Sequence, residues 1–438
     1  NSGIQNTIDS DASIQGLAQL VNNASAASTG TSSAASSATA IADASKLQGA
    51  DLGINTDIGG VADIGGQVDF NATAASSNVT GSATAGASLG DVKDPVSVPT
   101  TGDLTTGVDL GALTTLNTVT GQKDTGHAQG LVTGIDATLG ANEYSTDIKS
   151  DGTLQGFANL SNTADASTTD GAASAGAYAN TIDGANLGDV SIGGVGSLTG
   201  SANFAGSASS SNVGDEAGDI SGAVSQLKDI DGLEATAGLN VASDAGISGL
   251  AAVDLGSSAE STSGGYAFAS AQAGTLQGAQ LGATDIGGVG SVAGETSLTS
   301  GAASSNVSGQ AISLSQLTTA EGLQQTGELD VKSDASVQGL ANVSSSADAA
   351  TTAGAATANA LSGTINGADL AVGNLDIGGI GSIAGQANFG LSATSSNVSD
   401  TSTATADSAG ATGLIGGITD TTTSTTDDIF GIDVASDS

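Results

Sequence analysis

The chain has 438 residues, with 45 Asp and Glu against six Lys, one His and no Arg, a formal net charge of −39, 67 Gly, six Phe, three Tyr and no Trp, Met or Cys. So acidic a chain excludes nucleic acid and anionic membrane surfaces as partners, since phosphate is held by Lys and Arg, and no apolar run approaches a membrane span, which excludes insertion. One His and no Cys leave no Ser-His-Asp or Cys-His set, so the composition argues for a structural protein and against an enzyme and against a bound cofactor.

The first recognisable element is the pattern Ile14-x-Gly16-x-Ala18-x-Leu20, in which every second residue is small or apolar. That period of two belongs to a strand burying one face. The pattern returns with anchors at Ile64, Leu154, Leu198, Ile247, Val292, Val337 and Ile383, at intervals of 44 to 50 residues apart from one of 90. Glycine stands two positions after every anchor, and a large apolar residue stands six after it. The residue fifteen after is Thr in odd copies (Thr29, Thr169, Thr262, Thr352) and Val in even ones (Val79, Val213, Val307, Val398). The unit is therefore a pair of modules, and the interval of 90 predicts one degenerate copy within it.

In chain order the divisions are repeat pair 1 (residues 1–90), a degenerate module with a proline-containing loop (91–145), repeat pairs 2 (146–240), 3 (241–330) and 4 (331–410), and a C-terminal segment (411–438) in phase with a next repeat. The degenerate stretch holds Pro95, Pro99 and His127. Proline cannot donate to a sheet ladder, so this stretch is expected to leave the stack. At the end of the chain, the Val-Ala-Ser-Asp at 434–437 repeats that at 241–244, the lead-in to an odd anchor.

With so few aromatic residues, the chain lacks the volume to fill five conventional sandwich cores. A solenoid needs only a thin interior, in which each residue packs on its equivalent about 4.8 Å away in the next coil. The expected fold is thus all-β, a repetitive β-solenoid of about nine modules of ~45 residues, with tandem β-sandwich domains of ~90 residues as the alternative. Disorder does not account for apolar positions held in register through eight copies, and only 12% of residues are charged.

Four further features bear on function. An Asp precedes each odd anchor by three (Asp11, Asp151, Asp244, Asp334), which in a stack places these charges two coils apart, near the Debye length of about 10 Å at 0.1 M salt. Three residues after each odd anchor, Leu17, Phe157, Leu250 and Leu340 form an outward apolar stripe, a candidate self-association surface or the floor of a second buried layer. A glycine motif flanked by polar residues, at 47–52, 182–187, 276–281 and 365–370, suits stacked amide ladders or corners that need positive φ. It is followed each time by Ile-Gly-Gly. Asp229, Asp231 and Glu234 resemble a truncated calcium loop and are the candidate metal ligands for Ca2+. Asn-x-Ser/Thr occurs at Asn23, Asn71, Asn78, Asn159, Asn306, Asn342 and Asn397, with Asn78, Asn306 and Asn397 in a shared Ser-Ser-Asn-Val frame, and chance in a Ser/Thr-rich chain accounts for most of these.

The modules at 336–343 and 381–389 are similar to those of bacterial β-strand-repeat cell-surface and extracellular fibre proteins. What this resemblance implies is an exported acidic filament or surface layer, at the cell surface or beyond it. The partner expected from the repeats is a second copy of the chain, joined head to tail in a homopolymer. An adhesin stalk or surface-binding module, stabilised by calcium and directed at cell-surface glycans, is the alternative function.

Overall fold

The computed structural model describes residues 5–28, 37–43, 47–49, 55–78, 82–88, 135–136, 145–169, 173–213, 220–262, 265–370, 375–415 and 429–437. Every strand pairing among them is parallel, and the strands form three sheets. Each coil contributes a strand of three or four residues to sheet A, a strand of 17 residues to sheet B and a returning strand to sheet C. In the fifth coil these are Leu239–Val241, Ala245–Ser261 and Tyr266–Leu281. The chain is a β-solenoid, as the two-residue alternation requires.

Like stands on like through the stack. Ile14, Ile64, Leu154, Leu198, Ile247, Val292, Val337 and Ile383 form one continuous row on sheet B. Along each sheet B strand burial alternates residue by residue, as in Gly290–Asn306, so one face points inward and the other toward solvent.

Among the described residues no separate module stands in the interval of 90. Gly152–Thr168 pairs along its whole length directly with Ala62–Asn78, so nothing is stacked between the second and third anchors. Ile135 and Asp136 lie between Leu47 and Gln48 of the first coil and Ile182 and Asp183 of the third. They supply the end of the second coil's sheet C strand, which begins with Ser82–Ser88. The interval of 90 therefore holds one coil whose returning strand is interrupted, not two coils. Pro95, Pro99 and His127 lie outside the described residues.

The interior is two cores rather than one. Sheet A, the first residues of sheet B and the last residues of sheet C enclose Ile58, Ile64, Leu187, Leu198, Val241 and Ile286. Farther along, sheets B and C face each other over Phe70, Leu160, Phe204, Leu298 and rows of Ala such as Ala173, Ala175 and Ala177. Between the cores the two sheets meet backbone to backbone. A Cβ on Gly249 of sheet B would lie 2.0 Å from the carbonyl oxygen of Gly278 on sheet C, and one on Gly200 would lie 2.0 Å from that of Gly232. The glycine two after each anchor and the glycine of the amide-flanked motif are thus two halves of one contact. Positive φ is not what these motif glycines supply. Among the described glycines only Gly354 and Gly410 have it.

The narrow edge of the flat layer is closed by polar contacts. At its narrow edge the small inward hydroxyls bond across the layer, Ser300 to Ser315 at 2.7 Å and Ser304 to Ser313 at 2.8 Å. There the Ser-Ser-Asn-Val frame makes the turn. Asn306 is 3% exposed, its Oδ1 accepts from the backbone N–H groups of Ser308 and Gly309, and its Nδ2 donates to the carbonyls of Gly265 and Gln310. Asn397 accepts from Ser399 and Asp400 in the same way. An amide buried and engaged on both atoms is a turn cap, so these sequons are structural rather than glycan acceptors.

Candidate functional site

Among the described residues the concave surfaces are open grooves along sheets A and B, and the surfaces that could act are the outer faces and the two ends of the stack. At the corner between sheets A and B, the Asp of each odd coil reaches the following even coil. Asp11, Asp151, Asp244 and Asp334 accept through Oδ1 from the backbone N–H of Val61, Val195, Val289 and Ile380, at 2.8 to 2.9 Å. The second glycine of each Ile-Gly-Gly motif makes room for that carboxylate, since a Cβ on Gly288 would lie 2.2 Å from Asp244 Oδ1. These four carboxylates alternate with Val or Ile up the stack, so they stand two coils apart as the spacing in sequence implies. Elsewhere the spacing of charge does not hold.

On the outward side of sheet A carboxylates are direct neighbours. Asp57 adjoins Asp147, and Asp285, Asp330 and Asp376 run in succession. Lysine offsets this repulsion. Lys149 sits against Asp147 and 3.8 Å from Asp57, and Lys332 sits against Asp330. The hydrogen bond from Lys149 to Asp147, with the charges of Asp147 and Asp57, holds the ammonium above its ordinary pKa. Lys332 is raised in the same way by Asp330, with Asp285 and Asp376 contributing.

The outward side of sheet B spreads its carboxylates, among them Asp63, Asp69, Asp165, Asp254 and Glu295, over long strands. Its broadest feature is a row of amides and one carboxylate, in which Gln19, Gln67 and Asn159 donate to Asp69 at 2.8 to 3.0 Å. Asn203 donates to Asn159, and Asn388 to Asn342. The bonds from Asn159 first, then Gln19 and Gln67, keep the Asp69 carboxyl below its ordinary range. Beside this row stand the four apolar residues singled out by sequence. Leu17, Phe157, Leu250 and Leu340 occupy one register row, alternating with Gln67, Ser201, Glu295 and Gln386. Leu17 is 64% exposed, and Phe157, Leu250 and Leu340 are half-buried. The stripe is on the outer surface, and no described strand covers it.

Sheet C differs, because both faces of its first half are buried. Its outward Val224, Phe268, Ile312 and Leu314 are at most 3% exposed. Toward its end runs a partly buried ladder of Asp183, Asp231, Gln277, Glu321 and Asn366. Gln277 and Asn366 each donate to Glu321 at 3.4 Å, one from either side. In the parallel row, Gln277 and Gln280 both donate to Gln324 at 2.8 Å, and Asn186 donates to Glu234 at 2.8 Å. These are the amide ladders expected from the glycine motif.

The candidate calcium ligands lie here. Asp229, Asp231 and Glu234 are strung along one strand, Ile220–Ala235, and the first and last already have partners. Asp229 pairs with Lys228 at 3.3 Å, and Glu234 accepts from Asn186 and Thr236. Burial, with the charges of Glu234 and Asp229, pushes the Asp231 carboxyl up to about 7. An extended strand spreads its carboxylates along a line where a cation needs them closed around a point. Among the described residues no group of three or more His, Cys, Asp or Glu is placed to hold a metal ion. What sequence reasoning missed is that Asp231 lies directly beside Asp183 of the neighbouring coil; the shared Asp of the motifs at 182–187 and 229–234 was the available signal.

The two ends of the stack complete the inventory. At one, the outer edges of Gln5–Ile8, Ala12–Ser28 and Ser37–Asp43 have no partner among the described strands. At the other, Leu375–Ile377 and Ser402–Ile415 are the last strands of sheets A and C. Residues 388–396 of the eighth sheet B strand are covered by Ile429–Asp437, and residues 381–387 are not. The C-terminal segment does join the stack, but Val434 lies beside Ala393 on sheet B and not in the lead-in position that its sequence suggests.

Comparison with known proteins finds no matching family model, no matching curated protein and no matching solved structure.

Proposed function

We propose that the chain is a structural subunit of an extracellular filament or surface layer, assembled by head-to-tail stacking of its coils. The observation that carries this is the alternation of odd and even coils up the stack, which a further odd coil stacked on the eighth would continue. The first coil is of the odd type, with Asp11 and Leu17, and the eighth is of the even type, with Ile380 and Gln386. A second copy docked on the eighth coil continues the alternation without a break. The bonds needed already occur at every even-to-odd step within the chain, where Ala62 donates to the Asp151 carbonyl and Lys149 to the Ile58 carbonyl at 2.9 Å. At the junction the donors would be Gly381 and the second copy's counterpart of Lys149, which is Asp9. An exposed parallel edge with its backbone groups unsatisfied is a template for such addition, and a heterologous contact of this kind does not close on itself.

Electron microscopy and sedimentation at rising protein concentration test the proposal. Rods should lengthen with concentration, with an axial repeat of about 38 Å for eight coils at about 4.8 Å each. Added salt should speed growth by screening the net charge of −39. Protein that stays monomeric at millimolar concentration in high salt would overturn the proposal.

Rods of this kind would also touch sideways, and the row of Leu17, Phe157, Leu250 and Leu340 on the open face of sheet B is the surface we assign to that contact. Leu250→Ser with Leu340→Ser should leave rod length unchanged and abolish bundling. Bundles persisting unaltered in the double variant would rule the row out as the lateral interface.

A further inference from the structure

The last strand occupies ground that the proposed head-to-tail contact requires. In every regular coil the chain passes from sheet C to a short strand of sheet A and then to sheet B. After Ser402–Ile415 this order breaks. Among the described residues no strand follows Leu375–Ile377 on sheet A, and the next described strand, Ile429–Asp437, lies on sheet B. It pairs in parallel register with only the second part of the eighth sheet B strand, from Asn388 beside Ile429 to Ser396 beside Asp437. The ninth level of the stack is thus half filled by the chain itself.

A second copy adding its first coil at that level would place residues 19–27 of Ala12–Ser28 over 388–396, the same nine positions. Both strands cannot hold one edge. From this, and resting on the head-to-tail reading above, we infer that Ile429–Asp437 is a guard strand, an autoinhibitory contact that keeps the growing end closed and must be released before another copy stacks. The adjoining edges at Leu375–Ile377 and 381–387 have no partner among the described strands. An incoming first coil can therefore engage sheet A and the start of sheet B through Gln5–Ile8 and residues 12–18, then displace the guard along the same strand. Displacement of this sort exchanges one set of parallel ladder bonds for an equivalent set, so it opposes assembly mainly by competing for the edge.

One double variant of the full chain and one truncation separate the outcomes. Thr394 is exposed and is the register partner of Ala435, and the chain contains no Cys. Thr394→Cys with Ala435→Cys therefore forms a single defined disulfide, since neighbouring strands about 4.8 Å apart lie within disulfide reach. Light scattering and electron microscopy should show growth from the chain truncated after residue 415 at least about tenfold faster than from the natural chain, equivalent to about 1.4 kcal/mol of competition. The oxidised double-cysteine chain should not elongate, and reduction should restore the natural rate. Equal growth of truncated, oxidised and natural chains would overturn the guard while leaving head-to-tail stacking intact. Failure of all three to form rods would overturn the stacking itself and the guard with it.

Discussion

Gly249→Ala is expected to destabilise the protein by more than about 3 kcal/mol, whereas Gly256→Ala, seven residues along the same strand, should be neutral or slightly stabilising. The difference lies entirely in what a methyl group would meet. At Gly249 it would meet the carbonyl oxygen of Gly278 at 2.0 Å and its carbon at 2.7 Å, while at Gly256 nothing lies within 4 Å. Backbone atoms cannot move aside as a side chain can. Sheets B and C would have to part at the level of the fifth coil, loosening both cores at once, since the glycine contact is the wall between them. The neighbouring coils make the same contact at Gly200 and Gly294, so substitutions at two levels should add until the parted region becomes continuous. Thermal unfolding followed by circular dichroism measures the effect. Equal stability of the two alanine variants would show that the sheets do not touch there.

Asp231→Asn is expected to raise stability at about pH 8 by up to about 4 kcal/mol and to change it little at about pH 4. Burial and the carboxylates of Glu234 and Asp229 push Asp231 up to about 7 from an ordinary value of 3.8. A raised carboxyl pKa means that the folded state holds a proton which the unfolded state has released. The stability associated with that proton is present below about pH 4, is lost as pH rises from there to about 7, and stays lost above. Asparagine is uncharged throughout, so the variant lacks this loss. Asp183 in the preceding coil and Gln277 in the following one flank the position, and the pairing of Lys228 with Asp229 only partly offsets the local negative charge. Glu321 lies two coils farther on, and burial followed by Asp369 raises it in the same direction. The hydrogen bond from Asn366 lessens the effect. Melting curves of the natural chain and the variant across this pH range provide the check, and parallel curves with no divergence above pH 7 would show that Asp231 is solvated.

Much of this fold could be read from the chain because the repeat states it eight times. The anchor row, the inward and outward alternation of sheet B, the outward position of Leu17, Leu250 and Leu340, and the two-coil spacing of the Asp11 series all follow from residue order and the geometry of a strand. What sequence could not show is which motifs meet. Gly249 and Gly278 belong to different elements of the repeat, and only the fold makes them one contact. The same is true of Asp244 and the Gly-Gly pair at 287–288, two motifs that are separately puzzling and together form a bridge between coils. The interval of 90 misled because spacing alone does not distinguish a worn coil from a returning strand that is broken and resumed. It took the direct pairing of Ala62–Asn78 with Gly152–Thr168 to decide. At Asn306 a sequon and a turn cap share the same letters, and burial separates them. The candidate surfaces were less legible than the fold, because the sequence carries no partner, and the order of the last two strands follows no repeat.

The account stands on stacked coils in register, and the most direct measurement is spin exchange between nitroxides on the open face of sheet B. Gly256, Gly301 and Ser346 are 45 residues apart in sequence and consecutive in one outward row. Each accepts a cysteine label without entering the core. Labels on all three, about 4.8 Å apart, should collapse the three-line nitroxide spectrum to a single exchange-narrowed line. A three-line spectrum equal to the sum of the three single labels would place these residues in separate domains and contradict the solenoid.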